Sequence, residues 1–220
     1  AVLTKRQKEL GVVVIDIGCG GTNVSVFEEG TVLHTASLPI GGENVTNDIA
    51  IGLRTSIDTA DKIKIEYGTC LPEDVHDRET IDLSLMSKID TQTISKKQLA
   101  EIIRARYREI LFMVKDEMAK IQRDGMLPAG AILTGAAVKI PGIIDVSREI
   151  LNLPVQIGFP TNYEGVVDKI EDPAYATAIG LVIWGSRFQG ESYGMRFDLK
   201  GLNFEKVSQG LKNWVRGLLP

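Results

Sequence analysis

The sequence predicts an α/β fold that is interrupted by a smaller α+β region. Short apolar runs such as 12–15 and 131–133 alternate with glycine-containing turns and helical segments in the two outer parts of the chain. Between them, residues 69–93 are acidic and carry only short alternating runs such as 81–85, which are typical of a small sheet. A chain of 220 residues that is 44% hydrophobic and 25% charged can form one large domain or two small ones.

The first 68 residues are predicted to form three strands and then two helices. Strands are expected at residues 12–17, 24–27 and 32–39. The first helix is expected at 44–53, because this range places three apolar residues on one helical face. Asp58 is the expected cap of a second helix, which runs through Tyr67 and ends at Gly68.

The longest predicted helix begins at Ser95 and carries apolar residues at helical spacing up to Ile121. Asp124 and Gly125 end it. Beyond this point the α/β pattern returns, with strands expected at 131–133 and 155–157 and helices at 143–151 and 175–184.

The composition excludes several classes of protein. A net charge of −4 argues against a generally basic nucleic-acid-binding protein. Cys19 and Cys70 are the only cysteines, and their spacing matches neither a metal site nor a disulfide framework, which favours a reducing cytoplasm. No apolar run is long enough to span a bilayer.

Residues 16–23 form the most informative motif, an acid and a glycine-rich turn between two apolar strands. Gly18, Gly20 and Gly21 allow a tight turn whose consecutive N–H groups can bind an anion, and Asp16 is placed to hold a metal ion or a water. No Gly-Lys-Ser/Thr follows, and a strand rather than a helix comes next, so the motif is neither a Walker loop nor a dinucleotide fingerprint. The pattern favours a phosphate loop, and a plain hairpin with a glycine turn is the alternative.

A second small-residue turn follows the strand at 131–133. Gly135, Ala136 and Ala137 would allow a flat ring to lie against the backbone. The alternative is a close-packed connection between a strand and a helix. Within one domain, the two turns can flank a single nucleotide.

The last twenty residues, 201–220, predict an amphipathic helix. Its apolar stripe is formed by Phe204, Val207, Leu211, Trp214, Val215 and Leu218. Basic residues lie opposite, which suits an anionic membrane surface. Gly210 and Gly217 each cost about 1 kcal/mol of helix stability, so we expect the helix to form on lipid. A helix packed on its own domain is the alternative.

The chain resembles the C-terminal half of the FtsA family of actin-like cell-division ATPases. The matching segments are 16–23, 38–42 with 46–50, 60–64 with 67–68, 133–135 with 140–142, and 173–181. The resemblance implies domain II of an actin-like, ribonuclease H-like ATPase with an inserted subdomain. Subdomain IIA would comprise 1–68 and 125–186, and subdomain IIB 69–124. A linker, 187–200, and a membrane-targeting helix, 201–220, would follow.

The resemblance also implies a nucleotide site for ATP and Mg²⁺. The residues carried over are Asp16, Gly18, Cys19, Gly20, Gly21, Thr22, Asp61, Lys64, Gly135, Ala136 and Ala137, with Asp16 as the metal residue. The first phosphate motif would belong to a domain I that this chain lacks, so the chain alone is expected to bind ATP weakly. Cys19, Gly21 and Asn23 replace the glycine, threonine and aspartate usual in the family, which implies at most a slow ATPase.

Partners follow from the same resemblance. The C-terminal tail of FtsZ would contact Lys96, Arg106 and Glu109, although a solvated helix face is the alternative for most charges there. The implied role is a polymer-forming adaptor that tethers FtsZ filaments to the cytoplasmic face of the cell membrane at the division septum. A pilus-assembly adaptor similar to PilM and an actin-fold sugar kinase are the alternatives.

Overall fold

The computed structural model describes residues 1–87, 90–161 and 171–188. The chain divides into two units, 1–183 and 184–220, and the architecture below is that of the first. Most of the predicted linker and the whole predicted helix at 201–220 lie outside the described residues. In the described ranges, no helix has both the length and the apolar character needed to cross a bilayer.

The described elements are thirteen α-helices and strands in mixed order. In chain order they are α1 (Lys5–Leu10), β1 (Val12–Ile17), β2 (Thr22–Glu28), β3 (Thr31–Leu38), α2 (Gly42–Leu53), α3 (Ile57–Tyr67), β4 (Thr80–Asp82), β5 (Thr93–Ser95), α4 (Lys96–Lys120), β6 (Ala131–Thr134), α5 (Ile143–Leu151), β7 (Val155–Ile157) and α6 (Ala176–Phe188).

A five-stranded mixed sheet is the centre of the fold, with the order β3-β2-β1-β6-β7. β1 pairs antiparallel with β2 and parallel with β6, and Asp16 lies opposite Thr134 in the parallel register. The carboxyl ends of β1 and β6 therefore meet at one edge of the sheet. The loops that follow these strands are the two small-residue turns recognised in the sequence.

The long helix α4 joins the sheet to the small region that precedes it. It packs against α2 and α5. Its buried face is formed by Leu99, Ala100, Ile103, Tyr107, Ile110, Leu111, Val114 and Met118. A two-stranded sheet, β4 paired with β5, lies just before it in the chain and confirms the small sheet predicted there.

The predicted strands and helices are mostly confirmed, with shifts of a few residues at their ends. Strands 12–17 and 155–157 and helix 143–151 match the observed bounds. Ser95 caps α4 as expected, because its hydroxyl accepts a hydrogen bond from the N–H of Gln98.

Four local predictions were wrong or incomplete. Helix α1 was not predicted, although Thr4 and Gln7 form a capping box at its start. Helix α3 is capped by Ser56 rather than Asp58, since the Ser56 hydroxyl accepts from the N–H of Thr59. The run 81–85 leaves the strand after Asp82 and enters a 3₁₀ turn. The last helix starts at Ala176 and extends past its predicted end.

Candidate functional site

Two neighbouring clefts lie at the sheet edge where β1 and β6 end. The first has a volume of about 390 Å³ and the second about 300 Å³. The first is lined by Gly18, Cys19, Gly42, Lys64, Ile65, Tyr107, Ala136, Ala137, Lys139, Ile140 and Pro141. The second brings Asp16 and Asn23 together with Thr134 and Thr177. The two predicted turns therefore do converge, and Asp16 lies in the adjoining cleft rather than in the first one.

The glycine-rich loop is fastened to the N-terminus of α2 through its carbonyl groups. The carbonyl of Gly18 accepts from the N–H of Gly42 at 2.9 Å, and that of Cys19 accepts from Glu43 at 2.8 Å. Among the described residues, the N–H groups of Cys19, Gly20 and Gly21 donate to no other group. Of these three residues, Cys19 lines the first cleft, and the anion site that the motif predicts stays a prediction.

Close packing holds this loop in shape. A Cβ on Gly41 would lie 2.5 Å from the carbonyl oxygen of Cys19, so only glycine fits where α2 begins. The side chain of Thr22 is buried and donates to the carbonyl of Ile40 at 2.8 Å. Thr22 therefore stabilises the loop from the buried side, and its hydroxyl does not face the cleft.

Lys64 supplies a positive charge to the first cleft. Its ammonium group contacts Asp61 at 2.8 Å and the hydroxyl of Thr46 at 2.6 Å, close to the start of α2. The hydrogen bond from Lys64 lowers the pKa of Asp61, so this carboxylate stays charged at neutral pH. Of the two residues carried over from the family, Lys64 faces the cleft and Asp61 orients it.

The second turn requires glycine at its first position. Gly135 has a φ of +94°, and a Cβ there would lie 2.4 Å from both Asp16 Oδ1 and the carbonyl oxygen of Ile17. This close approach places Ala136 and Ala137 in the wall of the first cleft while Gly135 contacts the acid of the second. The second turn therefore connects the linings of the two clefts, which have no residue in common.

Tyr107 is a cleft residue that the sequence did not identify as one. Its hydroxyl donates to the carbonyl of Ala137 at 2.6 Å. Burial raises the pKa of Tyr107, which keeps the hydroxyl neutral and able to donate. Helical spacing predicted that the side chain points inward, but the identity of the acceptor depends on a turn 30 residues away in the chain.

The two free cysteines have different environments. Cys70 is buried, and this burial raises the pKa of its thiol to about 12. Cys19 is exposed at the rim of the first cleft. Neither belongs to a cluster of three or more potential metal ligands within the described parts of the chain.

The predicted partner residues are separated along α4. Arg106 and Glu109 lie together, with 2.6 Å between Nη1 and Oε2. Lys96 lies ten positions earlier, about 15 Å along the helix axis, and is paired with Glu79 at 2.9 Å. Arg106 also makes a two-point contact with Asp48 of α2, at 2.5 and 2.7 Å.

The chain matches known cell-division proteins over most of its length. A sequence model of the family described as "Cell division protein FtsA" matches residues 13–180. One curated relative with that name, from Pseudomonas aeruginosa, is 37% identical over 99% of this chain and 53% of the relative. Another, from Bacillus subtilis, is 36% identical over 94% of this chain and 47% of the relative. The chain thus spans about half the length of the relatives it matches.

Solved structures show an actin-like fold for the described chain. MreB 5 of Spiroplasma citri bound to AMPPNP has a TM-score of 0.64 at 18% identity, over 85% of this chain and 56% of that one. The type IV pilus biogenesis complex PilM-PilN has a TM-score of 0.59 at 17% identity, over 82% of this chain and 47% of that one. At these identities the likeness concerns the fold alone, so the pilus protein does not outweigh the family match.

Proposed function

The chain belongs to the FtsA family of cell-division proteins, and on this premise we propose that it is part of an ATP-binding adaptor between FtsZ filaments and the membrane. We assign nucleotide binding to the paired clefts, which are lined by residues of 1–68 and 125–186 together with Tyr107. Residues 69–124 carry the surface for the acidic and hydrophobic tail of FtsZ. Residues 201–220 attach the protein to the cytoplasmic face of the cell membrane at the septum.

One observation carries the nucleotide proposal. Gly18 and Cys19 of the glycine-rich loop, Lys64, and the wall of Ala136 and Ala137 line one cleft of about 390 Å³, and the amide of Cys19 donates to no other described group. Consecutive amides and a cation favour phosphates, whereas small residues against a flat apolar wall suit a nucleoside. The structural neighbour MreB 5 is described as bound to AMPPNP, which supports the same use of this fold.

The second cleft fits a magnesium ion that arrives with the nucleotide. Mg²⁺ is usually held through one or two carboxylates together with phosphate oxygens and waters. Asp16 supplies one carboxylate there, and Asn23 adds an amide but no second charge. When bound, the ion would neutralise phosphate charge. Because Asn23 stands where the family usually has an acid, we propose slow hydrolysis with a regulatory role in polymer formation.

The nucleotide proposal is tested with two substitutions at one position. Gly20 is exposed, and a Cβ there would meet only the end of the Glu43 side chain at 3.9 Å, so side chains are tolerated. We expect Gly20→Asp to lower ATP affinity at least tenfold through charge repulsion, and Gly20→Ala to leave it within about twofold. Chemical-shift titration by NMR detects the weak binding expected of this chain. Equal affinity in the two variants would contradict the site.

The FtsZ proposal is tested by fluorescence anisotropy with a labelled tail peptide. Arg106→Glu reverses the charge at the proposed contact and is expected to abolish binding. Arg148→Glu is the matched control. Arg148 is an exposed arginine on a different helix, α5, where it pairs with Asp145. Loss of binding in both variants, or in neither, would refute the assignment of Arg106.

The membrane proposal is tested by flotation with liposomes that contain anionic lipid. The intact chain is compared with a chain that ends at Lys200, and only the intact chain is expected to float. Because a single short amphipathic helix binds weakly, flotation should increase when the protein polymerises. Equal flotation of the two chains would contradict the role of residues 201–220.

A further inference from the structure

We propose that Thr177 is a positioning residue that orients the carboxylate of Asp16 toward a nucleotide-bound metal ion. The inference rests on the proposed function, in which Asp16 faces Mg²⁺. Thr177 lies in the first turn of α6 and lines the second cleft together with Asp16. It is 161 positions from Asp16 in the chain.

The carboxylate of Asp16 is constrained on two sides. The hydroxyl of Thr177 donates to Oδ2 at 2.5 Å. The backbone of Gly135 packs so closely on Oδ1 that a Cβ would lie 2.4 Å from it. The terminal torsion of an aspartate is otherwise broad and poorly fixed, so these two contacts together select one orientation of the group.

This orientation matters because of how magnesium binds. Mg²⁺ demands near-ideal octahedral geometry and tolerates little displacement of a ligand. Groups that hydrogen-bond a ligating carboxylate fix its direction, and their loss typically costs 10–100-fold in metal affinity. Asp16, Thr177 and Asn23 line the same cleft, so a metal ion held there would meet a carboxylate whose direction is already fixed.

A purely structural role for this hydrogen bond is less well supported. The segment before α6 is already attached to the sheet by other contacts. The carbonyl of Pro173 accepts from the N–H of Gly135 and from the hydroxyl of Thr134, each at 3.1 Å. Lys139 pairs with Asp172 at the same place. The Thr177 hydroxyl is therefore not needed to attach this end of α6.

The test compares ATP affinity with Mg²⁺ and with EDTA, by NMR titration of the 220-residue chain. The ratio of the two affinities isolates the contribution of the metal. We expect Thr177→Val to reduce this ratio about tenfold while it leaves the affinity in EDTA unchanged. Thr177→Ser, which keeps the hydroxyl, should restore the ratio. A structural role would lower both affinities equally.

A third variant separates failure of this inference from failure of the proposed function. Asp16→Asn should remove the effect of Mg²⁺ altogether. If Asp16→Asn does so but Thr177→Val keeps the wild-type ratio, the positioning role is wrong and the metal role of Asp16 stands. If Asp16→Asn keeps the ratio, or if the wild-type chain shows no response to ATP, the proposed use of the cleft fails and this inference fails with it.

Discussion

The cleft and the charged face of α4 present their polar groups in opposite ways. In the loop beside the cleft, the amides of residues 19–21 donate to no other described group, and the carbonyls of Gly18 and Cys19 make the contacts to α2. On α4, by contrast, Lys96, Lys97, Arg104, Arg106 and Arg108 each pair with an acid of the same chain. A ligand entering the cleft meets available donors, whereas a partner of α4 must compete with existing ion pairs.

The two regions therefore differ in what a ligand must displace. The backbone donors of Cys19 and Gly20 are exposed, so water occupies them until a ligand takes its place, and no protein group has to be displaced first. The ion pairs on α4 involve half-buried basic residues, and pairs near the surface contribute about 0–1 kcal/mol each, so they say little about a partner. The cleft is therefore the stronger of the two assignments.

The largest effect is expected at Gly135, where the second turn packs on the end of β1. Gly135→Ala adds a methyl group that overlaps the carbonyl of Ile17, at a φ that disfavours side chains. We expect a loss of about 3 kcal/mol in the free energy of unfolding, measured by urea denaturation. Gly30→Ala is the control, because Gly30 has a φ of +78° but open space around it. A similar loss in both variants would mean that the turn does not pack on β1 as described.

A smaller effect is expected where α4 meets the cleft. Tyr107→Phe removes the hydrogen bond to Ala137 and leaves a carbonyl without this donor, which should lower stability by about 1–2 kcal/mol. The control is Tyr175→Phe, since Tyr175 is 47% exposed. If both substitutions have the same effect on urea denaturation, the hydroxyl of Tyr107 does not link the two regions.

The ion pair between Arg106 and Asp48 is tested by changing Asp48, the acid that a tail peptide would have to displace, rather than Arg106. Asp48→Asn frees Arg106 from its two-point contact, at a stability cost of about 1 kcal/mol or less. If a tail peptide must displace Asp48, its affinity should rise about threefold by anisotropy, which corresponds to a gain of the same order. A weaker affinity would show instead that Asp48 holds Arg106 in its binding orientation.

The smallest effect concerns a carboxylate held by hydroxyl groups. Hydrogen bonds, the largest from Thr59, lower the pKa of Asp90 from 3.8 to about 2. Its charged form is therefore favoured in the folded chain. The resulting stability is fully present above pH 4 and is lost as the pH falls toward 2. Between pH 5 and pH 3, the free energy of unfolding should fall less for Asp90→Asn than for the wild-type chain. An equal fall in both chains would contradict this.

Much of the fold and part of the site follow from local sequence. The run at 12–17 and the glycines of the first loop each determine their own conformation, so the strand and the turn were predicted correctly. Helix α1 was missed because a six-residue helix with a single apolar residue, Leu10, shows no periodicity, although Thr4 and Gln7 carried its capping signal.

The rest depends on contacts between distant residues. Thr177 with Asp16, Arg106 with Asp48, and Tyr107 with Ala137 are separated by 161, 58 and 30 positions. No local pattern shows which of many hydroxyls or acids becomes the partner, because the pairing follows from how the helices pack. The assignments of ATP, Mg²⁺, FtsZ and membrane to their residues stay predictions, to be decided by the experiments above.

The parallel register of β1 and β6 also limits how this protein can vary in length. Asp16 and Thr134 stand at the same level, so one residue inserted in either strand would shift its loop by about 3.3 Å and turn the following side chains to the opposite face. The turn at Glu29 and Gly30 lies at the far end of β2, away from both loops. Insertions and deletions in proteins that share this site should therefore accumulate at such distal turns and be absent from 12–23 and 131–137.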